Sequence, residues 1–166
     1  MSAEVTTIIV AVITAVVGPI VVYYVTKHKF EDRKIAAEDV TDVGVKITYP
    51  HHGDKVDGFF IVSGRYKRKP SRARLQLLVK PDGAKGFYPQ GVAAFDSNPE
   101  KTWRAECWVG GASGALASVV AALVGPDGQI LFDYYRKVGE SVDKWPSIDN
   151  LTSDIEEVDS ISVMRK

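Results

Sequence analysis

Between Glu4 and Lys27 the chain carries no charged residue. Residues 5–25 have no polar face, and as a helix they would cover about 31 Å, close to the thickness of a bilayer's hydrocarbon core. Fifteen of these 21 residues are Val, Ile or Thr, which form helices poorly in water but have no other way to satisfy their backbone in lipid. The pattern predicts a single transmembrane anchor over residues 1–26. No basic residue precedes it as in a signal peptide, and Tyr23, Tyr24, Lys27, His28 and Lys29 follow as an interfacial belt.

Residues 27–43 are polar and charged and favour a helix or linker. From Val45 the texture changes to short alternating runs split by turn signals. "VKITYP" puts Val45, Ile47 and Tyr49 on one face; "GFFIVSGRY" and "RLQLLVK" read as the next strands, with Leu75, Leu77 and Val79 inward. "PDG" at 81–83 is a turn, and "GFYPQG" is an extended piece that Pro89 confines to an edge or bend. "TWRAECWV" alternates, setting Trp103, Ala105, Cys107 and Val109 inward and Arg104, Glu106 and Trp108 outward. "ASVVAALVG" is apolar on both faces; its Ala-rich stretch, Ala115–Leu123, fits a helix as well, but the flanking Gly and hairpin signals favour a strand. A second "PDG" at 126–128 reads as another turn, "QILFDYYRKV" as a further run, and "DSISVMRK" as a last strand. Strands every 10–15 residues between Gly, Pro and Asp turns predict an all-β, antiparallel sandwich over residues 44–166 behind the anchor.

Charge adds orientation. Lys27, Lys29, Arg33 and Lys34 follow the anchor and no basic residue precedes it. The positive-inside rule therefore puts the N-terminus outside and the domain in the cytoplasm, at the inner (plasma) membrane. The single Cys107 agrees, since a disulfide framework needs pairs. The formal net charge is zero, yet the charges are patterned. Arg65, Lys67, Arg68, Lys69, Arg72 and Arg74 crowd into the turn between the second and third strands, a candidate site for anions or anionic lipid. Asp149, Asp154, Glu156, Glu157 and Asp159 form the obvious balancing segment near the C-terminus.

"VKITYPHHGDKVDGFFIVSGRYK" resembles the opening of bacterial immunoglobulin-like or fibronectin-like modules. Val45, Ile47, Pro50, Gly53, Val56, Gly58, Val62 and Gly64 carry the likeness, and Trp103 falls on a middle strand. The resemblance covers residues 44–140 and implies a fold but hardly a function, because many functions share such sandwiches.

Thr7, Ala11, Ala15 and Gly18 make a small-residue stripe along one face of the anchor, suited to close helix packing and a homo-oligomer. Gly18-Pro19 would kink it. Trp108, outward among charges, is a candidate partner contact. Adjacent His51 and His52 are poorly placed to share one ion, Cys107 is expected to be a buried hydrophobe, and no nucleophile-base pair or phosphate-binding loop stands out. No metal, cofactor or catalytic residue is expected, nor nucleic acid. The sequence reads as a membrane-anchored binding module for a protein or an anionic ligand. A second reading is a membrane effector resembling those of bacterial defence systems, sensing a signal and assembling its spans to disrupt the membrane.

Overall fold

The strand pattern persists into a computed structural model, which describes residues 42–97 and 99–166. Among the described residues nine strands form two sheets: β1 (Lys46–Tyr49), β2 (Lys55–Val56), β3 (Phe59–Arg65), β4 (Arg74–Pro81), β5 (Tyr88–Val92), β6 (Ala94–Phe95), β7 (Thr102–Trp108), β8 (Leu116–Val124) and β9 (Ile155–Arg165). One sheet has the order β1-β3-β7-β6, the other β2-β9-β8-β4-β5. The expected residues turn inward. Val62, Trp103, Ala105 and Cys107 of the first sheet meet Leu75, Leu77, Val79, Val119, Ala121 and Leu123 of the second in one buried cluster. Trp103 is the largest of them; its indole N–H donates to the Arg65 carbonyl at 3.2 Å. Gly64 lies opposite it on β3, where a Cβ would strike the ring and the Lys46 carbonyl.

Three expectations need correction. The domain is not all-β, because "PDGQILFDYYRKVGESV" forms a helix, α1 (Pro126–Val142). Pro126 starts it at a position where a missing N–H costs nothing, and Asp127 complements the N-terminal dipole. Gly128, Phe132, Tyr135 and Gly139, spaced four, three and four, are its buried face. Phe132 packs on Leu78, Val120, Ala122 and Val124, the outer face of the second sheet. This explains why β8 is apolar on both sides: one side faces the opposing sheet, the other faces α1. The sheets are also not purely antiparallel, since β2 runs parallel to β9. Finally, a bulge between Ile47 and Tyr49 turns Tyr49 out, 54 % exposed. The predicted transmembrane anchor lies outside the described residues; among the described residues no helix is long and apolar enough to cross a membrane.

The acidic segment is built into the fold. Asp154 is 3 % exposed and caps α1 from outside the helix. It accepts the N–H groups of Asp127 at 2.8 Å and Gly128 at 3.1 Å, and the Thr152 hydroxyl at 2.6 Å. Asp159, Glu156 and Glu157 belong to β9, where Asp159 accepts from the Ile47 N–H and pairs with Lys46. Asp149 accepts from the Ser147 hydroxyl.

Candidate functional site

The covering helix creates a cleft. Two cavities, about 360 and 930 Å³, share Pro89, Gln90, Trp108, Tyr135 and Trp145 in their walls. Their sizes fit the range of small-molecule sites. The elements place these side chains for separate reasons. Trp108 stands on the solvent side of β7 by strand alternation and is 59 % exposed. Its backbone N–H donates to Gln90 Oε1 at 2.9 Å, and Gln76 Nε2 donates to the Gln90 carbonyl at 2.9 Å, tying β7 through β5 to β4. Tyr135 projects from the buried face of α1. Trp145 follows the helix, which ends in left-handed backbone at Asp143, and its ring meets Tyr135 at 5.6 Å. Gly139 makes room for it, since a Cβ there would run into the Trp145 ring.

The larger lobe adds Tyr88, Asp82 and part of the "VGGASGA" loop, with no basic side chain in its wall. Four aromatic rings and one carboxylate favour a neutral or cationic ligand over an anion, because ring faces carry negative potential. Burial, and secondarily the neighbouring Tyr88, pushes the Tyr135 hydroxyl above its ordinary value, so it stays a neutral donor. The smaller lobe is more polar. Arg74 reaches Asp133 of α1 at 3.1 Å, and Arg136 reaches the same carboxylate oxygen at 3.4 Å. Beneath it, Arg74 Nε and Gln76 Oε1 are buried with no hydrogen-bond partner among the described residues. Cys107 also borders this lobe, but burial pushes its thiol up to about 12, leaving no thiolate at neutral pH.

The predicted site residues divide. Trp108 lies at the waist of the cleft. Of the six cations, Arg65, Lys67, Arg68, Lys69 and Arg72 are exposed on the β3–β4 turn, whereas Arg74 is half-buried in the smaller lobe. Thr7, Ala11, Ala15 and Gly18 lie outside the described residues. His51 approaches Asp54 at 3.4 Å, and His52 accepts weakly from the Ser162 N–H. Among the described residues no cluster of His, Cys, Asp or Glu is arranged to hold a metal. Sequence reasoning missed Tyr88, Tyr135, Trp145, Gln76 and Gln90. The two-faced apolarity of β8 was the signal that a covering element, and hence a cleft beside it, had to exist.

Gly139→Ala separates the cleft from the fold. Ala is favoured over Gly inside a helix by about 1 kcal/mol, and the half-exposed Trp145 ring can swing away. Thermal unfolding is expected to show unchanged or slightly raised stability, while the Trp145 emission moves to longer wavelength. A large loss of stability would show that the Trp145 contact holds the domain together rather than shaping its cleft.

No protein-family model and no curated protein matches this chain.

Proposed function

We propose that this chain is a membrane-associated binding module that takes a small, neutral or cationic organic ligand between Trp108, Tyr135, Trp145 and Tyr88. The carrying observation is the convergence of four rings, from β5, β7, α1 and the segment after α1, on one cleft of ligand size. Trp108 and Trp145 remain 59 % and 45 % exposed, so surface that would stabilise a stacked ligand is left open to water. In the smaller lobe Arg74 and Arg136 both engage Asp133, Glu106 and Glu140 stand in the same wall, and the Cys107 thiol is un-ionised. The uncharged segment 5–25 supports membrane association, and the cations after it support a cytoplasmic domain. The strand order supports kinship with immunoglobulin-type modules.

The test is a titration of the full chain with three probes: an aromatic amide, an aromatic quaternary amine and an aromatic sulfonate, followed by tryptophan emission. The amide or the amine is expected to bind at least about tenfold more tightly than the sulfonate, and Trp108→Ala to weaken binding by a similar factor, about 1.4 kcal/mol. Preferential binding of the sulfonate, or binding indifferent to Trp108, would refute the reading.

A further inference from the structure

The basic turn is not used by the cleft, and the register of β3 and β7 shows where it lies. Arg65 pairs with Thr102 at one end of these strands and Phe59 with Trp108 at the other. Six residue steps at about 3.4 Å each separate the two ends by roughly 20 Å. The turn caps the first end. Lys67 and Arg68 both donate their backbone N–H to the Val43 carbonyl, at 2.8 and 3.3 Å, and the Lys67 side chain lies against Gly44. Residues 42–44 therefore reach the sandwich directly beneath the cations. These residues connect, through the sequence, to the apolar segment 5–25.

The turn is also built rather than loose. Lys101 donates from its ammonium to the Lys67 carbonyl at 2.8 Å, and its own carbonyl accepts from Tyr66. Lys69 lies 5.3 Å over the Phe95 ring. Three acids border the turn and the facing β6–β7 loop, while Asp159 pairs with Lys46, opposite Arg65, and Asp133 with Arg74. Asp42 is 4.0 Å from Arg68, Asp96 is engaged by Arg104 and Thr102, and Glu100 is exposed on the β6–β7 loop. Against them stand Arg65, Lys67, Arg68, Lys69, Arg72 and Lys101, all exposed. On the turn and the facing loop the surplus is positive.

We infer that the domain is bipolar: the end carrying Arg65, Lys67, Arg68, Lys69, Arg72 and Lys101 rests on anionic lipid headgroups, and the larger lobe of the cleft opens away from the bilayer. This rests on the membrane association proposed above. Clustered Lys and Arg beside a membrane are drawn to anionic headgroups, and the attraction falls with distance on the scale of the Debye length, about 8 Å at physiological salt. At roughly 20 Å along the strands, the Trp108 end lies beyond that reach, so the orientation has a defined polarity.

The test uses the full chain with vesicles of phosphatidylcholine alone, or of phosphatidylcholine with phosphatidylserine, both containing a headgroup-attached nitroxide. A fluorophore is placed in separate proteins at Ser97→Cys, beside the basic end, and at Ser113→Cys, in the loop at the cleft end. The buried Cys107 stays unlabelled. With phosphatidylserine, the Ser97 label is expected to be quenched at least about threefold more than the Ser113 label, with the difference shrinking as salt rises. Lys67→Glu, Arg68→Glu and Lys69→Glu together are expected to abolish the difference while the protein still floats with the vesicles. Equal quenching of both labels, or a difference indifferent to phosphatidylserine and salt, overturns the orientation alone. A response to added nucleotide with none to phosphatidylserine assigns the turn to a soluble anion and also overturns it. A chain that floats with neither vesicle overturns the membrane association and the orientation together.

Discussion

Trp103→Ala is expected to destabilise the domain by about 3–5 kcal/mol, the usual range for deleting a large buried ring. Trp103 is fully buried, faces both sheets' core residues, and has its indole N–H satisfied by the Arg65 carbonyl. Removing it opens a cavity that the surroundings cannot close. Gly64 on the partner strand has no side chain to move in, and the neighbours Ala105 and Cys107 are small. Domains of this size are stable by only about 5–15 kcal/mol in all, so roughly a fifth or more of the margin would go. Chemical denaturation followed by near-ultraviolet circular dichroism should show the midpoint falling steeply. Trp103→Phe, which keeps most of the volume, should lose markedly less. A loss below about 1 kcal/mol for Trp103→Ala would place the ring outside the true core.

Asp154→Ala is the second large effect. The carboxylate accepts from two backbone N–H groups in the first turn of α1 and from the Thr152 hydroxyl, while Gly125, the N-cap residue, offers no side-chain cap of its own. Without it, the buried Gly128 N–H has lost both its hydrogen bond and access to water. Loss of a cap together with a stranded buried donor is expected to cost about 2–4 kcal/mol. Asp154→Asn keeps an acceptor oxygen and should cost roughly half as much or less. The effect should be local as well as global. Amide hydrogen exchange should speed up most over residues 127–139, and Tyr135 and Trp145 should lose their fixed contact, because α1 carries one and positions the other. Unchanged exchange across α1 would show that the helix is held by Phe132 and its neighbours without the cap.

The same tripeptide marks where the sequence was legible and where it was not. "PDG" at 81–83 is a turn, with Gly83 in left-handed backbone at φ 72°, as local chemistry expects. "PDG" at 126–128 opens a helix instead, with Gly128 packed against Val124 and Ile155. Nothing in the tripeptide distinguishes them. The cap comes from Asp154, and the surface that α1 covers comes from β4 and β8, so the decision is non-local. The spacing of Gly128, Phe132, Tyr135 and Gly139 did carry the helical period, but the aromatic and β-branched content of the segment resembled a strand. By contrast, β3, β4, β7 and β8 could be read with their inward faces, because period-two alternation is set by each strand alone. The cleft inherits the helix's illegibility: Trp108 was visible from strand alternation, whereas Tyr135 and Trp145 become its neighbours only once α1 is in place. The basic turn was visible as a charge cluster. That Arg74 leaves it for the cleft, and that Asp154 is spent on capping α1, depended on packing.

The cleft can be observed directly because the chain has three tryptophans, Trp103, Trp108 and Trp145, and hence three indole N–H resonances. In heteronuclear NMR of the full chain, titration with the aromatic amide and the quaternary amine is expected to shift the Trp108 and Trp145 indole signals together, saturably and with one affinity, while the buried Trp103 signal stays fixed. Shifts confined to other surfaces, or no saturable shift of Trp108 and Trp145 with either probe, would contradict the assignment of this cleft as the ligand seat.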